Sequence, residues 1–527
     1  MVVAGTECAR TVLSRRSALL GAMGLAGAVL LPGCGAVGGQ AAVDPGPPRH
    51  GGRLRVALAG QSPSADVLDP HVAGSAAAGA IGKNVWDRLV AYDNDLRLRY
   101  RLAESLQPNG DGTEWRITLR PGVRFSDGSP LSSRDVLWSL RRMLEPAKPS
   151  SADLSMVDMS RTRAEGDGTV VVALSEPLAD LGSVLAGWYV YVVKDGSDVF
   201  DATSLPVGTG PFVLKEWSPG DRALLRRNPL YWESGLPRVD EVEILQIAEP
   251  EARVNALRSG VVDMMDQMPV VHARTLAQDG GFRLVEPRHG TMAALQMRAD
   301  TPPFDDVRVR QAMRLVVDRQ AMADTVYLGF AELGNDLYGR GAPFYADQIP
   351  QRRHDPAAAR ELLRQAGKEN LSVTLTTADA SPGQLDSATQ FAEQARQAGI
   401  VVNLETVPAD NYAAQVSGQR ALTHNNWWNY SLDYFYGQTT TSDAPGNTGW
   451  RDPEWDAKFA RARGTLDTTT RAVLYAELQQ QLWEEGGLIV HNFVKQPAGV
   501  AARVQGVPEF VLGNDDWANY RGVWLSA

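Results

Sequence analysis

The sequence predicts an α/β protein with more than one domain. Between residues 371 and 404, two segments of alternating apolar residues flank a segment with helical spacing, an arrangement typical of a βαβ unit with parallel strands. The same alternation predicts strands at Arg53–Leu58 and Glu114–Leu119. At 527 residues the chain is longer than one hydrophobic core can serve, so two or more domains are expected.

Capping signals place several helices in this pattern. Ser132 precedes the acid Asp135 and a run of apolar residues at helical spacing, which predicts a helix that begins there. Asp355, followed by a proline, predicts a second N-cap. A short helix is predicted over 251–259, where a glycine closes it, and a strand over 261–265.

Composition and charge exclude several classes of function. Hydrophobic residues make up 44% of the chain and charged residues 22%, as in ordinary globular proteins. The formal net charge of −10 argues against a nucleic-acid partner, because binding to phosphates requires a basic surface. The chain has no Gly-x-Ser-x-Gly elbow, no phosphate-binding loop and no His-Glu-x-x-His motif. We therefore expect no catalytic residues and no cofactor.

The segment 427–435 contains two tryptophans, two tyrosines, a phenylalanine and one carboxylate. Aromatic walls with a few polar groups are typical of a small-molecule pocket, although aromatic residues also fill protein cores. The seven histidines show no metal-binding spacing, and no metal site is predicted. His424 nevertheless lies three residues before Trp427, and imidazole suits nickel.

The N-terminus has the pattern of an export signal. Basic residues up to Arg16 precede an uncharged apolar stretch, 17–33, which is too short to span a bilayer comfortably. The stretch ends in Leu-Pro-Gly-Cys, which resembles the lipobox of bacterial lipoproteins. That resemblance implies that Cys34 carries lipid and becomes the first residue of the mature chain. The Ser-Arg-Arg-Ser sequence at 14–17 resembles a twin-arginine motif, and the choice between this route and general secretion stays open.

Four blocks along the chain carry a wider resemblance. They are LAESLQPNGDGTEWRITLRPGVRFSDGSPLSSRDVLWSLRRM (102–143), PVGTGPFVLKEWSPGDRALLRRNPLYW (206–232), EARVNALRSGVVDMM (251–265) and PFDDVRVRQAMRLVVDRQAM (303–322). In this order they resemble the extracellular solute-binding proteins of ABC importers, in family 5, which handles oligopeptides, dipeptides and nickel. The resemblance covers nearly the whole mature chain.

The resemblance implies a two-lobed periplasmic-binding-protein-like fold (type II, large cluster) with a hinge between the lobes. The pattern of helices and strands stops at 299–303, which we take as the crossing between them. The expected divisions are a signal peptide at 1–33, a lipid-anchored tether at 34–51, lobe 1 at 52–297 with an extra subdomain at about 84–205, lobe 2 at 298–496, and a return to lobe 1 at 497–527.

Site residues follow from the same resemblance. Peptide-binding members commonly have Trp-x-x-Asp in the aromatic segment, and the Asp pairs with the α-ammonium group of the peptide. Here Ser431 stands at that position, so the amine-binding acid is absent unless Asp433 takes its role. The residues expected to bind ligand from lobe 2 are Trp427, Trp428, Tyr430, Ser431 and Asp433. From their places in the sequence, independently of the resemblance, we also expect Trp188, Asp69 and His71 to face the cleft from lobe 1, with a place in the core as the alternative for each.

The implied function is capture of a small solute between the lobes and its delivery to the permease and ATPase subunits of an ABC importer. We expect a monomeric, non-catalytic protein, anchored by lipid to the outer face of the membrane, with a di- or oligopeptide as ligand. An oligosaccharide, an opine-like solute or nickel are alternatives for the same fold. A secreted hydrolase is the alternative from another class.

Overall fold

Two large β-sheets with helices packed around them form the body of the protein. The structure is a computed structural model that describes residues 46–526 apart from 61–62, 64–65, 202, 410–411, 413–415, 417–418, 429, 445 and 447. The predicted signal peptide, Cys34 and most of the tether lie outside the described residues. The predicted α/β class is confirmed.

The first part of the chain alternates short strands and helices. Its elements are β1 (Arg53–Leu58), α1 (Ala76–Val85), β2 (Val90–Tyr92), β3 (Leu98–Tyr100), β4 (Ala103–Pro108), β5 (Glu114–Leu119), α2 (Ser133–Met143), α3 (Ser150–Asp153), β6 (Arg163–Ala164), β7 (Thr169–Ala173), α4 (Leu181–Leu185), β8 (Phe212–Ser218), β9 (Arg222–Arg227), β10 (Glu241–Gln246), α5 (Pro250–Arg258), β11 (Met264–Met265), α6 (Val270–Leu276) and β12 (Phe282–Val285).

The second part is richer in helix. Its elements are β13 (Thr291–Met297), α7 (Val307–Leu315), α8 (Arg319–Thr325), β14 (Ala331–Leu333), α9 (Pro356–Gln365), β15 (Ser372–Thr377), α10 (Gln384–Arg396), β16 (Val401–Thr406), β17 (Leu422–Trp427), α11 (Leu432–Thr439), α12 (Pro453–Gly464), α13 (Thr468–Glu485), β18 (Leu488–Val494), β19 (Ala498–Ala501), β20 (Val504–Gln505) and β21 (Trp524–Leu525).

The first lobe is built on a seven-stranded sheet in the order β12-β19-β11-β1-β10-β9-β8. Strand β1 lies parallel to β10 and β11, and β19 joins the sheet antiparallel to β11 and β12 although it comes from the far end of the chain. The apolar residues of β1 explain its central place, because Leu54, Val56 and Leu58 are buried in one core.

A separate four-stranded sheet, β4-β5-β7-β6, lies within residues 84–205 and has its own hydrophobic core. Helix α2 covers this core with Val136 and Leu140. The predicted start of α2 is confirmed: the carboxylate of Asp135 accepts a hydrogen bond from the backbone N–H of Ser132 at 2.7 Å. We call this region the subdomain.

The second lobe is built on a six-stranded sheet in the order β14-β18-β13-β17-β15-β16. Strands β15 and β16 are parallel and are joined through α10, which confirms the predicted βαβ unit. The predicted N-cap of α9 is also confirmed, since Asp355 accepts from the N–H of Ala358 at 2.8 Å. The strand predicted over 261–265 is shorter than expected and comprises only β11.

The chain leaves the first lobe earlier than we expected. We placed the boundary after residue 297, but β13 pairs with β17 and β18 and therefore belongs to the second sheet. The crossing lies between β12 and β13, and residues 299–303 are inside the second lobe. The periodic pattern stops at 299–303 because a strand has ended just before. A break in periodicity marks the end of an element and does not show which sheet that element joins.

Candidate functional site

The aromatic segment 427–435 runs from the end of β17 into the first turns of α11. Ser431 is the N-cap of α11, with φ −64° and ψ 155°, and its hydroxyl accepts a hydrogen bond from the N–H of Tyr434 at 3.1 Å. Serine suits this place because its oxygen satisfies one of the N–H groups that a helix leaves free at its start. The position predicted to contact ligand therefore orients the helix that carries Tyr434.

Trp428 reaches across from the second lobe to the first. Its ring packs edge-on against Trp188, with 4.6 Å between ring centroids and 64° between ring planes, and lies 5.9 Å from the ring of Trp517. A side chain on Gly513 would come within 3.3 Å of the Trp428 ring, so a glycine there permits the close approach. Two of the predicted residues, Trp188 and Trp428, thus meet between the lobes.

Tyr338 fixes the backbone of this segment. Its hydroxyl donates to the carbonyl of Trp428 and accepts from the N–H of Tyr430, while its ring stacks on Phe435 with 3.6 Å between centroids. Trp427 points the other way and packs edge-on against Phe435 in the core of the second lobe, at 5.4 Å. Among the described residues, Trp428 is the one of the two adjacent tryptophans whose ring packs against rings of the first lobe.

Asp433 lies in the first turn of α11, where a negative charge favours the helix. Its Oδ1 accepts from Nε of Arg463 at 3.0 Å and from the hydroxyl of Tyr475 at 3.1 Å, and its side chain is 11% exposed. Arg463 also reaches Glu176 of the subdomain, at 3.5 Å. The acid predicted as an amine anchor is therefore already paired with a guanidinium.

A cavity of about 990 Å³ lies between the subdomain and helices α11, α12 and α13 of the second lobe. Its described lining includes five carboxylates and two guanidinium groups, together with aromatic and apolar side chains. The charged members are Asp111, Asp153, Glu176, Asp433, Asp456, Arg461 and Arg463. The wall is therefore predominantly acidic and suits a ligand with a positive charge.

A carboxylate on the subdomain wall has an unusual environment. Oδ1 of Asp153 accepts from Nε2 of Gln438 at 2.6 Å, across the gap between the lobes, and Tyr434 lines the same cavity. Burial raises the pKa of Asp153 to about 7, against the opposing effects of Gln438 and Tyr434. No lysine, arginine or histidine among the described residues forms an ion pair with it.

A smaller cavity of about 80 Å³ shares Asp433 and Arg463 with the large one. Asp180 lies on its wall and caps α4 by accepting from the N–H of Ser183 at 3.0 Å. Burial raises the pKa of Asp180, against the attraction of Arg471. Both signs of charge line this pocket, so it adds little to the acidic character of the site.

Asp69 and His71 lie away from both cavities and hold the first lobe together. Asp69 accepts two hydrogen bonds from Arg142, at 2.8 and 2.6 Å, and one from Lys148 at 2.8 Å. His71 is fully buried, with Nε2 3.0 Å from the carbonyl of Tyr191 and Nδ1 2.8 Å from Arg142. Burial lowers the pKa of His71 to about 4, so it is neutral at pH 7 and donates to Tyr191. These contacts give Asp69 a role in charge pairing and His71 a role in packing and hydrogen bonding.

His424, considered for nickel, is buried in the second lobe. Its two ring nitrogens lie 3.1 Å from the hydroxyls of Thr377 and Ser387, so both already have partners. Among the residues that the structure describes, no three or more His, Cys, Asp or Glu side chains are grouped to hold a metal ion. None of the described helices combines the length and apolar character needed to cross a membrane.

No pattern in the sequence singled out Asp153, Gln438, Tyr338 or Arg463. Asp153 stands in the unremarkable stretch Ser-Ser-Ala-Asp, and its partner Gln438 is 285 residues away. The one signal available was indirect: α11, which carries Gln438, begins inside the aromatic segment that we singled out. Asp153 itself shows no local pattern, because its contacts depend on how the two lobes face each other.

Comparison with known proteins identifies the family to which this chain belongs. Residues 97–448, more than half of the chain, match the family described as bacterial extracellular solute-binding proteins, family 5 Middle. The glutathione-binding protein GsiB of Salmonella typhi is 26% identical over 439 residues, which are 79% of this chain and 85% of that protein.

Solved structures share the fold. The periplasmic binding protein DppA of Helicobacter pylori, in complex with the peptide STSA, is 21% identical and superposes with a TM-score of 0.77 over 91% of this chain and 99% of that one. The protein AgaA of A. tumefaciens R10, in complex with agropinic acid, is 24% identical, with a TM-score of 0.77 over 90% and 99% of the two chains. The predicted two-lobed fold is confirmed by these similarities.

Proteins of this family are extracellular or periplasmic, bind small solutes and deliver them to the permease and ATPase subunits of ABC importers. They are binding proteins and not enzymes, which removes the secreted hydrolase from consideration. With its fold, its cavity between two lobes and the match over residues 97–448, this chain belongs to the bacterial extracellular solute-binding proteins of family 5.

Proposed function

We propose that this protein captures a small peptide with a free amino group in the cavity between its lobes and delivers it to an ABC importer. The observation that carries this proposal is the cavity of about 990 Å³ with five carboxylates and two guanidinium groups on its wall. Ligand pockets for drug-sized molecules span roughly 300–1,000 Å³, so a short peptide fits this volume. The excess of acids favours a ligand whose charged end is an ammonium group.

The other ligand classes fit this wall less well. An opine-like acid would add negative charge to a wall that is already acidic. A metal ion needs a compact set of ligands, which the described residues do not group together. A neutral sugar fits the aromatic residues but leaves the carboxylates without a partner. The named relatives bind glutathione, a peptide and agropinic acid, so family membership alone leaves the choice open.

Equilibrium dialysis tests this proposal. The protein without its leader is dialysed against a mixture of unblocked tri- and tetrapeptides, against maltotriose, and against the nickel complex of histidine. We expect selective retention of peptides, one per protein molecule and in monomeric protein. Retention of only the sugar, only the nickel complex, or nothing would reject the peptide as ligand.

We also propose that lipid on Cys34 anchors the protein to the outer face of the membrane, with residues 34–51 as a flexible tether. The support is the Leu-Pro-Gly-Cys sequence at the end of an apolar leader. In its own host, Cys34→Ala is expected to release the protein from membranes without changing its affinity for peptide. Membrane retention of this variant would exclude the lipid anchor, and Cys8→Ala serves as the control that keeps it.

A further inference from the structure

One acid of the cavity, Asp153, differs from the others in the groups that surround it. Asp153 ends α3, a short helix of the subdomain, so it stands on the first-lobe wall of the cavity. Its hydrogen-bond donor Gln438 belongs to α11 of the second lobe, as does Tyr434, which lines the same cavity. The carboxylate therefore faces the second lobe directly.

The hydrogen-bond donor to Asp153 is uncharged. Gln438 supplies an amide, whereas Asp433 and Glu176 on the same cavity share the guanidinium of Arg463. Removing a carboxylate from water costs several kcal/mol unless a cation compensates it or it takes up a proton. Asp153 is partly buried, and no cation among the described residues is paired with it. A cation supplied by a bound ligand would compensate the charge that the described residues leave without an ion pair.

The facing segment of the second lobe carries aromatic rings. The rings of Tyr430 and Tyr434 lie 4.8 Å apart at 46°, and Tyr434 lines the same cavity as Asp153. The faces of such rings attract a cation, and a carboxylate on the same cavity adds to that attraction.

We propose that Asp153 is the acid that pairs with the ammonium group of the bound solute, with Tyr434 packing beside that group. The amide of Gln438 gives up its bond to Oδ1 when the ammonium arrives. Because Asp153 comes from one lobe and Tyr434 from the other, the ammonium is held fully only when the lobes are together. Ligand binding thereby favours the closed form, since the ligand contacts that form better than an open one.

This assignment rests on the proposed function and specifies the charged end of the solute. The test is equilibrium dialysis against a tripeptide library and against the same library with acetylated amino groups, with bound peptides quantified by mass spectrometry. The protein variants are wild type, Asp153→Asn, Asp433→Asn and Glu145→Gln. Glu145 is exposed on the same subdomain and does not line the cavity, so its variant removes the same charge elsewhere.

We expect wild type and Glu145→Gln to retain the free peptides and to bind the acetylated ones at least 10-fold more weakly. Asp153→Asn is expected to lose at least 10-fold in affinity for free peptides and to bind both libraries equally, while Asp433→Asn still distinguishes them. If Asp153→Asn still prefers free amines, the assignment is wrong and the peptide function stands. If wild type retains neither library, the peptide function fails and the assignment fails with it.

Loss of folding would not imitate this result. Asp153→Asn keeps the shape of the side chain, and an unfolded variant would bind neither library, whereas the assignment requires unchanged binding of the acetylated peptides. Thermal unfolding of each variant gives an independent check on its folding. A variant that unfolds cooperatively and still separates free from acetylated peptides as wild type does would overturn the assignment.

Discussion

Two carboxylates on opposite walls of one cavity differ in what compensates their charge. Asp433 has a guanidinium and a phenol within 3.1 Å, which makes it part of the charge network of the second lobe. Asp153 accepts from the amide of Gln438, and no cation among the described residues is paired with it. Carboxylates with perturbed titration that lie in clefts are frequent in functional sites, and Asp153 fits this description.

The pH dependence of stability distinguishes Asp153 from a structural acid. Its pKa is raised by burial from its ordinary value of 3.8 to about 7. Between these values an unfolded chain loses the proton while the folded protein keeps it, so wild type loses stability as pH rises from about 4 to 7. Asp153→Asn cannot ionise, and we expect it to be about 2–4 kcal/mol more stable than wild type at pH 8 and nearly equal at pH 4.

Urea unfolding without ligand at the two pH values measures this difference, with Glu145→Gln as the control. An Asp153→Asn advantage that is the same at pH 4 and pH 8 would contradict the prediction. The phenols facing Asp153 have pKa values raised by burial and do not titrate in this range. The titratable and charged groups around it are Tyr189, Tyr430, Tyr434, Asp111, Glu176, Asp433, Asp456, Arg461 and Arg463.

Helix α11 is the element that brings the second-lobe side of the site together. One face carries Tyr434 and Gln438 toward the subdomain, while Phe435 and Tyr436 are buried in the second-lobe core. The cap at Ser431 and the bonds from Tyr338 set where this helix begins. The positions of Tyr434 and Gln438 therefore depend on the Ser431 cap and on the stacking of Tyr338 against Phe435.

Replacing the cap tests this dependence. Ser431→Ala removes the oxygen that accepts from the N–H of Tyr434, and we expect a loss of about 1 kcal/mol in the free energy of unfolding. Urea denaturation measures the loss, and Ser431→Thr, which keeps a hydroxyl, is expected to recover most of it. A stability for Ser431→Ala equal to that of wild type would show that the hydroxyl does not support the helix.

In the whole molecule, contacts between the lobes join residues that are far apart in the chain. Trp188 and Trp428 pack at 4.6 Å, Gln438 reaches Asp153 at 2.6 Å, and Arg463 reaches Glu176 at 3.5 Å. An aromatic pair of this kind contributes about 0.5–1.5 kcal/mol beyond the area it buries. A contribution of that size is enough to shift a two-state equilibrium between open and closed forms about two- to tenfold.

The neighbouring tryptophans offer a matched test of this closure. We expect Trp428→Ala without ligand to have a larger radius of gyration than wild type in small-angle X-ray scattering, because a contact between the lobes is lost. Trp427→Ala, which removes an equal side chain from the second-lobe core, is expected to lower the stability and leave the radius of gyration unchanged. Equal radii for wild type and Trp428→Ala would mean that this contact does not hold the lobes together.

The sequence by itself determined the α/β class, the capped starts of α2 and α9, the βαβ unit around α10 and the family to which the chain belongs. These features depend on residues a few positions apart, or on blocks that keep their order. It also pointed to the segment 427–435, from which Trp428 proved to contact the first lobe.

Only the tertiary structure decided which charges are compensated. Asp69 meets Arg142 at 73 residues' separation, Asp433 meets Arg463 at 30, and Asp153 meets Gln438 at 285. It also decided that β13 joins the second sheet and that β19 returns to the first. The physical reason is the same in each case: capping and periodicity act within a turn or two of backbone, whereas charge pairing and sheet order depend on how distant segments pack.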